Sequence, residues 1–149
     1  MPGIADLFIP WLILKRSGTL QPPAAGVLQV IGILLILTGL AILVWVCQAF
    51  VRYGHGTPAP FDPPQQFVSR GLYRWVRNPM YLGAAVLIPF GVAFLFSSLW
   101  LVLYAVLIIL VLHLYIVFHE EPILKKRFGD PYQNYLNTVL RWIPRLPRK

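Results

Sequence analysis

Acidic residues are scarce in this sequence: five Asp and Glu stand against thirteen Lys and Arg among 149 residues. From Ala84 to Phe118 there is no Asp, Glu, Lys or Arg, and His113 is the one strongly polar side chain of that stretch. With 58% of its residues hydrophobic and only 12% charged, the chain lacks the polar surface that a soluble domain of this length needs. That excludes a soluble domain and makes the chain an integral membrane protein. Its polar segments are too short to bury a second core, so a single domain over residues 1–149 is expected. The single cysteine, Cys47, excludes an internal disulfide framework and, lying in an apolar run, reads as a buried, inert thiol. No glycine-rich phosphate loop and no Gly-x-Ser-x-Gly elbow occurs, which disfavours hydrolase chemistry. His55, His113, His119 and Cys47 show no metal-ligand spacing, so no metal is expected. The first residues lack a basic region and do not read as a secretory signal.

What is present is a set of apolar runs with basic flanks. Ile4 to Leu14 is too short to span alone at about 1.5 Å per residue, and is expected to lie in the interface or to be the remnant of a longer first helix. Ala24 to Phe50 reads as a spanning helix, whose Gly32, Thr38, Gly39 and Ala41 would let another helix approach closely. Arg52 to Asn78 is a connecting loop, kept from helix in its first half by Pro58, Pro60, Pro63 and Pro64. Phe67 to Val76 is basic and amphipathic, as segments at headgroup level are. Pro79 suits a first helical turn. Met80 to Phe96 is the next span, with a kink expected at Pro89. Ser97-Ser98 make a turn, and Leu99 to Phe118 returns across about 30 Å. In the tail, Asp130-Pro131-x-Gln133 reads as an N-cap, a first-turn proline and a capping-box partner.

The expectation is therefore an all-α membrane protein. It has about three transmembrane helices, a short N-terminal apolar helix and a cytoplasmic amphipathic C-terminal helix. Four basic residues in the loop 52–78 and seven from residue 122 onward face Lys15 and Arg16 on the other side, which puts the loop and tail in the cytoplasm. The net charge of +8 reads as topology and contact with anionic headgroups, not as nucleic-acid binding.

Two polar marks fall at one mouth of the predicted hairpin. Glu120 and Glu121 lie at a helix C-terminus, where the macrodipole favours a cationic partner. Pro122 opening a further helix, or pairing of the carboxylates with Arg74 or Arg77, are the structural alternatives. Arg77-Asn78-Pro79-x-Tyr81 opens the preceding helix, whose exposed N–H groups bind anionic or carbonyl oxygens. Snorkelling of Arg77 and an interfacial anchor at Tyr81 are the structural alternatives. Gly83 permits close approach of backbone or ligand, or serves helix packing. His113, inside the last span, is a candidate by its place there, and Glu120 seven residues on falls on nearly the same helical face. A hydrogen bond from His113 to a neighbouring helix is the competing reading.

Ser69-x-Gly71-x-Tyr73-Arg74-x-Val76-Arg77-Asn78-Pro79-Met80-Tyr81-x-Gly83, then the apolar hairpin, then Glu120-Glu121-x-x-Leu124-x-x-x-Phe128-Gly129-x-x-Tyr132-x-x-Tyr135, form an ordered combination. Over about residues 60–147 the chain resembles the isoprenylcysteine carboxyl methyltransferase and phospholipid (phosphatidylethanolamine) N-methyltransferase family. The resemblance implies S-adenosylmethionine as cofactor and a hydrophobic or lipidated methyl acceptor drawn from the bilayer. Carried over, Arg77, Pro79, Tyr81 and Gly83 would border the cofactor; His113 is counted with them as a cofactor-binding candidate on its place inside the span. Glu120 and Glu121 would hold its polar end through ribose hydroxyls or the ammonium group. Arg77 and Asn78 are the candidate catalytic residues. The chain departs from the family pattern at Asn78, where His is usual, and at Leu72, where Pro is usual. Asn donates and accepts hydrogen bonds but shuttles no proton near neutral pH.

An NADPH-dependent membrane reductase of the sterol reductase type shares a Pro-x-Tyr-x-Gly helix start and is the alternative enzyme reading. A non-enzymatic small membrane protein is the other. Three spans and a half-length first helix leave room for an oligomeric partner to close the site.

Overall fold

The computed structural model describes residues 2–18, 26–54 and 69–145. Ala24 and Ala25 at the expected start of the first long span, the proline-rich part of the loop, and Phe67 with Val68 lie outside the described residues. Every regular element among the described residues is a helix. In order these are α1 (Pro2–Ser17), α2 (Val27–Ala49), a π-helical turn (Phe50–Gly54), a 3₁₀ turn (Gly71–Arg74) and α3 (Pro79–Tyr81). A second π-helical turn (Leu82–Leu87), α4 (Ile88–Leu95), α5 (Leu99–Tyr115) and a third π-helical turn (Ile116–Glu120) come next, and then α6 (Glu121–Phe128) and α7 (Asp130–Thr138).

The uncharged runs account for α2, α4 and α5, because a helix satisfies its own N–H and C=O groups where no water is available. Two continuous helices, Val27–Tyr53 and Leu99–Phe128, are long and apolar enough to cross a membrane, and Pro79–Leu95 is a shorter apolar helix. Leu28, Leu34 and Leu37 on the first, and Leu103, Leu107 and Leu110 on the second, are exposed. A core helix of a soluble protein would bury them; lipid does not require it. Cys47 is likewise exposed on α2, which corrects the expectation of a buried thiol: it lies on the outward face of a helix whose other face buries Val46 and Ala49.

The chain divides into two compact units, Met1–Ala41 with Tyr81–Leu112, and Ile42–Met80 with His113–Lys149. In the first, glycines set the packing. A Cβ on Gly32 would stand 2.6 Å from the Gly91 carbonyl oxygen, and one on Gly91 would stand 2.7 Å from that of Gly32. Likewise a Cβ on Gly39 would meet the Gly83 carbonyl oxygen at 2.9 Å. The small residues thus bring two backbones together, as small residues do between membrane helices. Leu14 of α1 joins Ala93 and Leu101 in a buried cluster. The helical length of α1, 16 residues, exceeds the apolar run that suggested it.

The π-helical turn Leu82–Leu87 precedes Pro89, so the discontinuity expected at that proline takes the form of a widened turn. The helix then closes in a Schellman motif: Ser98 N–H donates to the Ala93 carbonyl and Ser97 N–H to that of Phe94. Ser97 occupies the left-handed position, φ +49°, that glycine usually takes. Gln29 Nε2 donates to its hydroxyl at 2.9 Å.

In the second unit Tyr132, Tyr135 and Val139 are buried together with Leu124, Phe128 and Leu136 against them. Gly129, at φ +60°, separates α6 from α7, with its N–H donating to the Lys125 carbonyl. The expected capping box does not form. Gly129 rather than Asp130 is the N-cap of α7, and no side chain caps it. Asp130 falls inside the first turn, where a carboxylate suits the dipole.

Candidate functional site

The segment before α3 and the tail after α7 are tied together backbone to backbone. Arg77 N–H donates to the Leu140 carbonyl at 2.9 Å, and Arg145 N–H to the Trp75 carbonyl at 2.8 Å. The Tyr135 hydroxyl donates to the Tyr73 carbonyl at 2.6 Å. Val76 and Pro79 are buried, so the stretch carrying Arg77 and Asn78 is held on both sides. The proline opens its helix as expected.

Onto this frame falls a cluster of three charged side chains. Arg77 Nη1 donates to Glu121 Oε1 at 3.0 Å. Arg141 meets the same carboxylate side-on, with Nε on Oε1 and Nη2 on Oε2, each at 3.0 Å. The side chains of Arg77, Glu121 and Arg141 are 14%, 12% and 23% exposed, so water screens these pairs weakly. Burial lowers the Arg77 pKa most; the Glu121 carboxylate opposes the shift and the Arg141 guanidinium adds to it. Burial, then the charges of Glu121 and Glu120, push Tyr132 up to about 12, and burial pushes Tyr135 up as well. Both phenols therefore keep their protons at neutral pH.

His113 accepts at Nδ1 from the Trp142 indole N–H at 3.0 Å. Its partner is thus the tail rather than a neighbouring helix. Consecutive tail residues, Arg141 and Trp142, hold Glu121 and His113 of one continuous helix. The π-helical turn Ile116–Glu120 explains the spacing. It inserts one residue into an otherwise α-helical course and rotates the remainder of the helix by about 100°. Glu121, eight residues after His113, takes the place that Glu120 would have in an unbroken α-helix. The expectation that Glu120 shares the face of His113 is corrected on that ground.

Residues 27–131 match the phospholipid methyltransferase family. This chain belongs to that family. The match covers 105 of the 149 residues and takes in both polar marks of the hairpin. No curated protein and no solved structure matches the chain.

Of the residues singled out in this phospholipid methyltransferase family member, the structure joins Arg77 directly to Glu121. Asn78, Pro79, His113 and Glu120 belong to the same unit, and Tyr81 and Gly83 to the other. Gly83 stands against Gly39, a packing role. Arg141 and Trp142 escaped the sequence reading and lie beyond the matched stretch. Their signal was the Arg-Trp-Ile-Pro run of the tail, polar and aromatic after a buried tyrosine face.

Proposed function

We propose that this chain transfers a methyl group from S-adenosylmethionine to a lipidic or lipid-tethered acceptor, of the phospholipid amine or isoprenylcysteine carboxylate type, at the cytoplasmic membrane face. The observation that carries this reading is the match of residues 27–131 to the family; the contact between Arg77 and Glu121 ties its two polar marks together across 44 residues. In this reading residues 1–149 act as one domain, because each compact unit draws on both halves of the chain. Pro79–Leu95 is the third span, and the basic loop and tail face the cytosol.

The residues present fit such a cofactor. Arg77 Nε and Asn78 Nδ2 are buried N–H groups that no acceptor among the described residues meets. Glu120, next to Glu121 in the chain, adds a second carboxylate to the same unit. When bound, S-adenosylmethionine supplies an electrophilic methyl carbon on a sulfonium. Arg77 and Asn78 orient ligands through their N–H donors. Glu120 takes the ammonium or the ribose hydroxyls, and Glu121, engaged by two guanidiniums, positions Arg77. Pro79 fixes the helix start. His113, bonded to Trp142, holds the tail against the helix. Such a site works by orientation and exclusion of water. A carboxylate acceptor is already ionised and needs no general base, which is compatible with asparagine at position 78.

The test uses purified full-length protein in lipid nanodiscs, with radiolabelled methyl donor and either phosphatidylethanolamine or farnesylcysteine as acceptor. Label in either acceptor is the expected result. Binding of NADPH in place of S-adenosylmethionine, with no label transferred, would favour the reductase reading instead.

A further inference from the structure

After α7 the backbone turns extended at Val139, and residues 139–145 form no helix. What this segment touches fixes its depth. Trp142 reaches His113, which lies five residues before Phe118, the last residue of the charge-free run, and so about 7 Å inside that run along the helix. Arg141, one residue earlier, reaches Glu121, three residues beyond the run. The segment thus crosses the helix where the charge-free run ends, with one side chain directed below that level and one above. On the helix itself Leu114, Tyr115 and Phe118 are exposed there. Ile143, next to Trp142, is 68% exposed, and Leu140 and Trp75 are exposed as well. Water would leave this apolar surface wet, whereas acyl chains would cover it. Non-helical backbone at such a depth needs its polar groups met. At both ends they are: the Leu140 carbonyl accepts from Arg77 N–H, and Arg145 N–H donates to the Trp75 carbonyl. Arg74 and Arg145, both exposed and linked to Trp75 through the backbone, add the cations and the indole that headgroup level favours.

We propose that residues 140–145 form a strap inserted in the membrane surface, with Leu140 and Ile143 among the acyl chains of one leaflet and Arg74 and Arg145 at its headgroups. The partner of this exposed apolar face is lipid rather than a second protein chain. The tail is then not cytosolic throughout: α7 stands in water, and the chain after it returns to the bilayer. This placement depends on Leu99–Phe128 crossing the membrane and not on methyl transfer. The strap lies beyond residue 131, where the family match ends.

The experiment places a nitroxide label on full-length protein in lipid nanodiscs through Ile143→Cys, an exposed position that tolerates the change. Leu114→Cys, on the exposed face of the long helix, is the lipid reference, and Asn137→Cys, exposed on α7, is the water reference. All three carry Cys47→Ser as well, because Cys47 is itself exposed. Collisions of each label with oxygen, which concentrates in lipid, are compared with collisions with a nickel chelate, which stays in water. Oxygen should dominate at positions 114 and 143, and the order should reverse at 137. Nickel dominance at 143 with oxygen dominance at 114 overturns the strap and leaves the span intact. Weak collision with both reagents at 143 means that protein covers the face, which overturns it too. Nickel dominance at 114 removes the span and the strap together. None of these measurements uses a methyl donor, so failure of methyl transfer leaves the strap standing.

Discussion

The Trp142 indole N–H lies 3.0 Å from Nδ1 of His113 and donates to it. An indole nitrogen only donates, so Nδ1 carries the lone pair and the ring proton sits on Nε2. One side chain of the tail thereby fixes the tautomer of a histidine in the long helix and is itself held by it. Trp142→Phe removes the donor while keeping most of the apolar surface. It should cost about 1 kcal/mol and raise amide exchange over residues 139–145, with little change in α5. Unchanged exchange in the tail would mean that the backbone bonds alone secure it.

Glu120 and Glu121, though neighbours, should respond differently. Glu121→Gln leaves two partly buried guanidiniums without their anion, which should lower stability by on the order of 3 kcal/mol. Glu120→Gln should instead weaken S-adenosylmethionine binding by about 1.5–3 kcal/mol and lower stability by less than Glu121→Gln does. Thermal melts and cofactor titrations on both variants check this. The reverse pattern would exchange their roles.

The fate of those carboxylates shows what the sequence could convey. Helix positions were legible, because a charge-free run between Ala84 and Phe118 has few options in lipid, and Pro79 and Ser97-Ser98 mark the ends of its first helix. Pairing of Glu121 with Arg77 was visible as one option among three, since charge alone does not choose a partner 44 residues away. Arg141 was not legible, because it comes to Glu121 through the turn at Gly129 and the tyrosine core, which no local period encodes. The π-helical turn before Glu121 was not legible either, so helical phase was carried one residue too far.

Alkaline pH should loosen the second unit. Tyr132 is pushed up from an ordinary 10.0 to about 12, so between those values the folded protein holds a proton that the unfolded chain has released. Stability is complete below pH 10 and falls as pH rises through that window. Tyr132→Phe should flatten the decline, leaving the contribution of Tyr135. A decline as steep as that of the unaltered protein would place its source elsewhere.

Close backbone contact predicts intolerance of a single methyl group. Gly91→Ala would set a Cβ 2.7 Å from the Gly32 carbonyl oxygen and 2.6 Å from the Ile36 side chain. Overpacking of this kind costs about 1–3 kcal/mol. Unfolding of the variant in mixed micelles should shift accordingly, and an unshifted transition would mean that the two helices can separate without penalty.

Sidedness is open to chemical labelling. Ser97→Cys, at an exposed turn, should react from the side opposite to Asn137→Cys, which is exposed on α7. Reaction of both from one side would leave Leu99–Phe128 short of a full crossing.

The widened turn at Ile116–Glu120 has a genetic corollary. A π-helical turn is one residue more than an α-helix needs. Loss of a single codon there, at Val117 for example, would close the helix into ordinary geometry while leaving Glu121 aligned with His113. Arg141 and Trp142 would still find both partners. This part of the chain should therefore tolerate a one-residue change in length better than a change of charge at Glu121, with natural length variants collecting between Ile116 and His119.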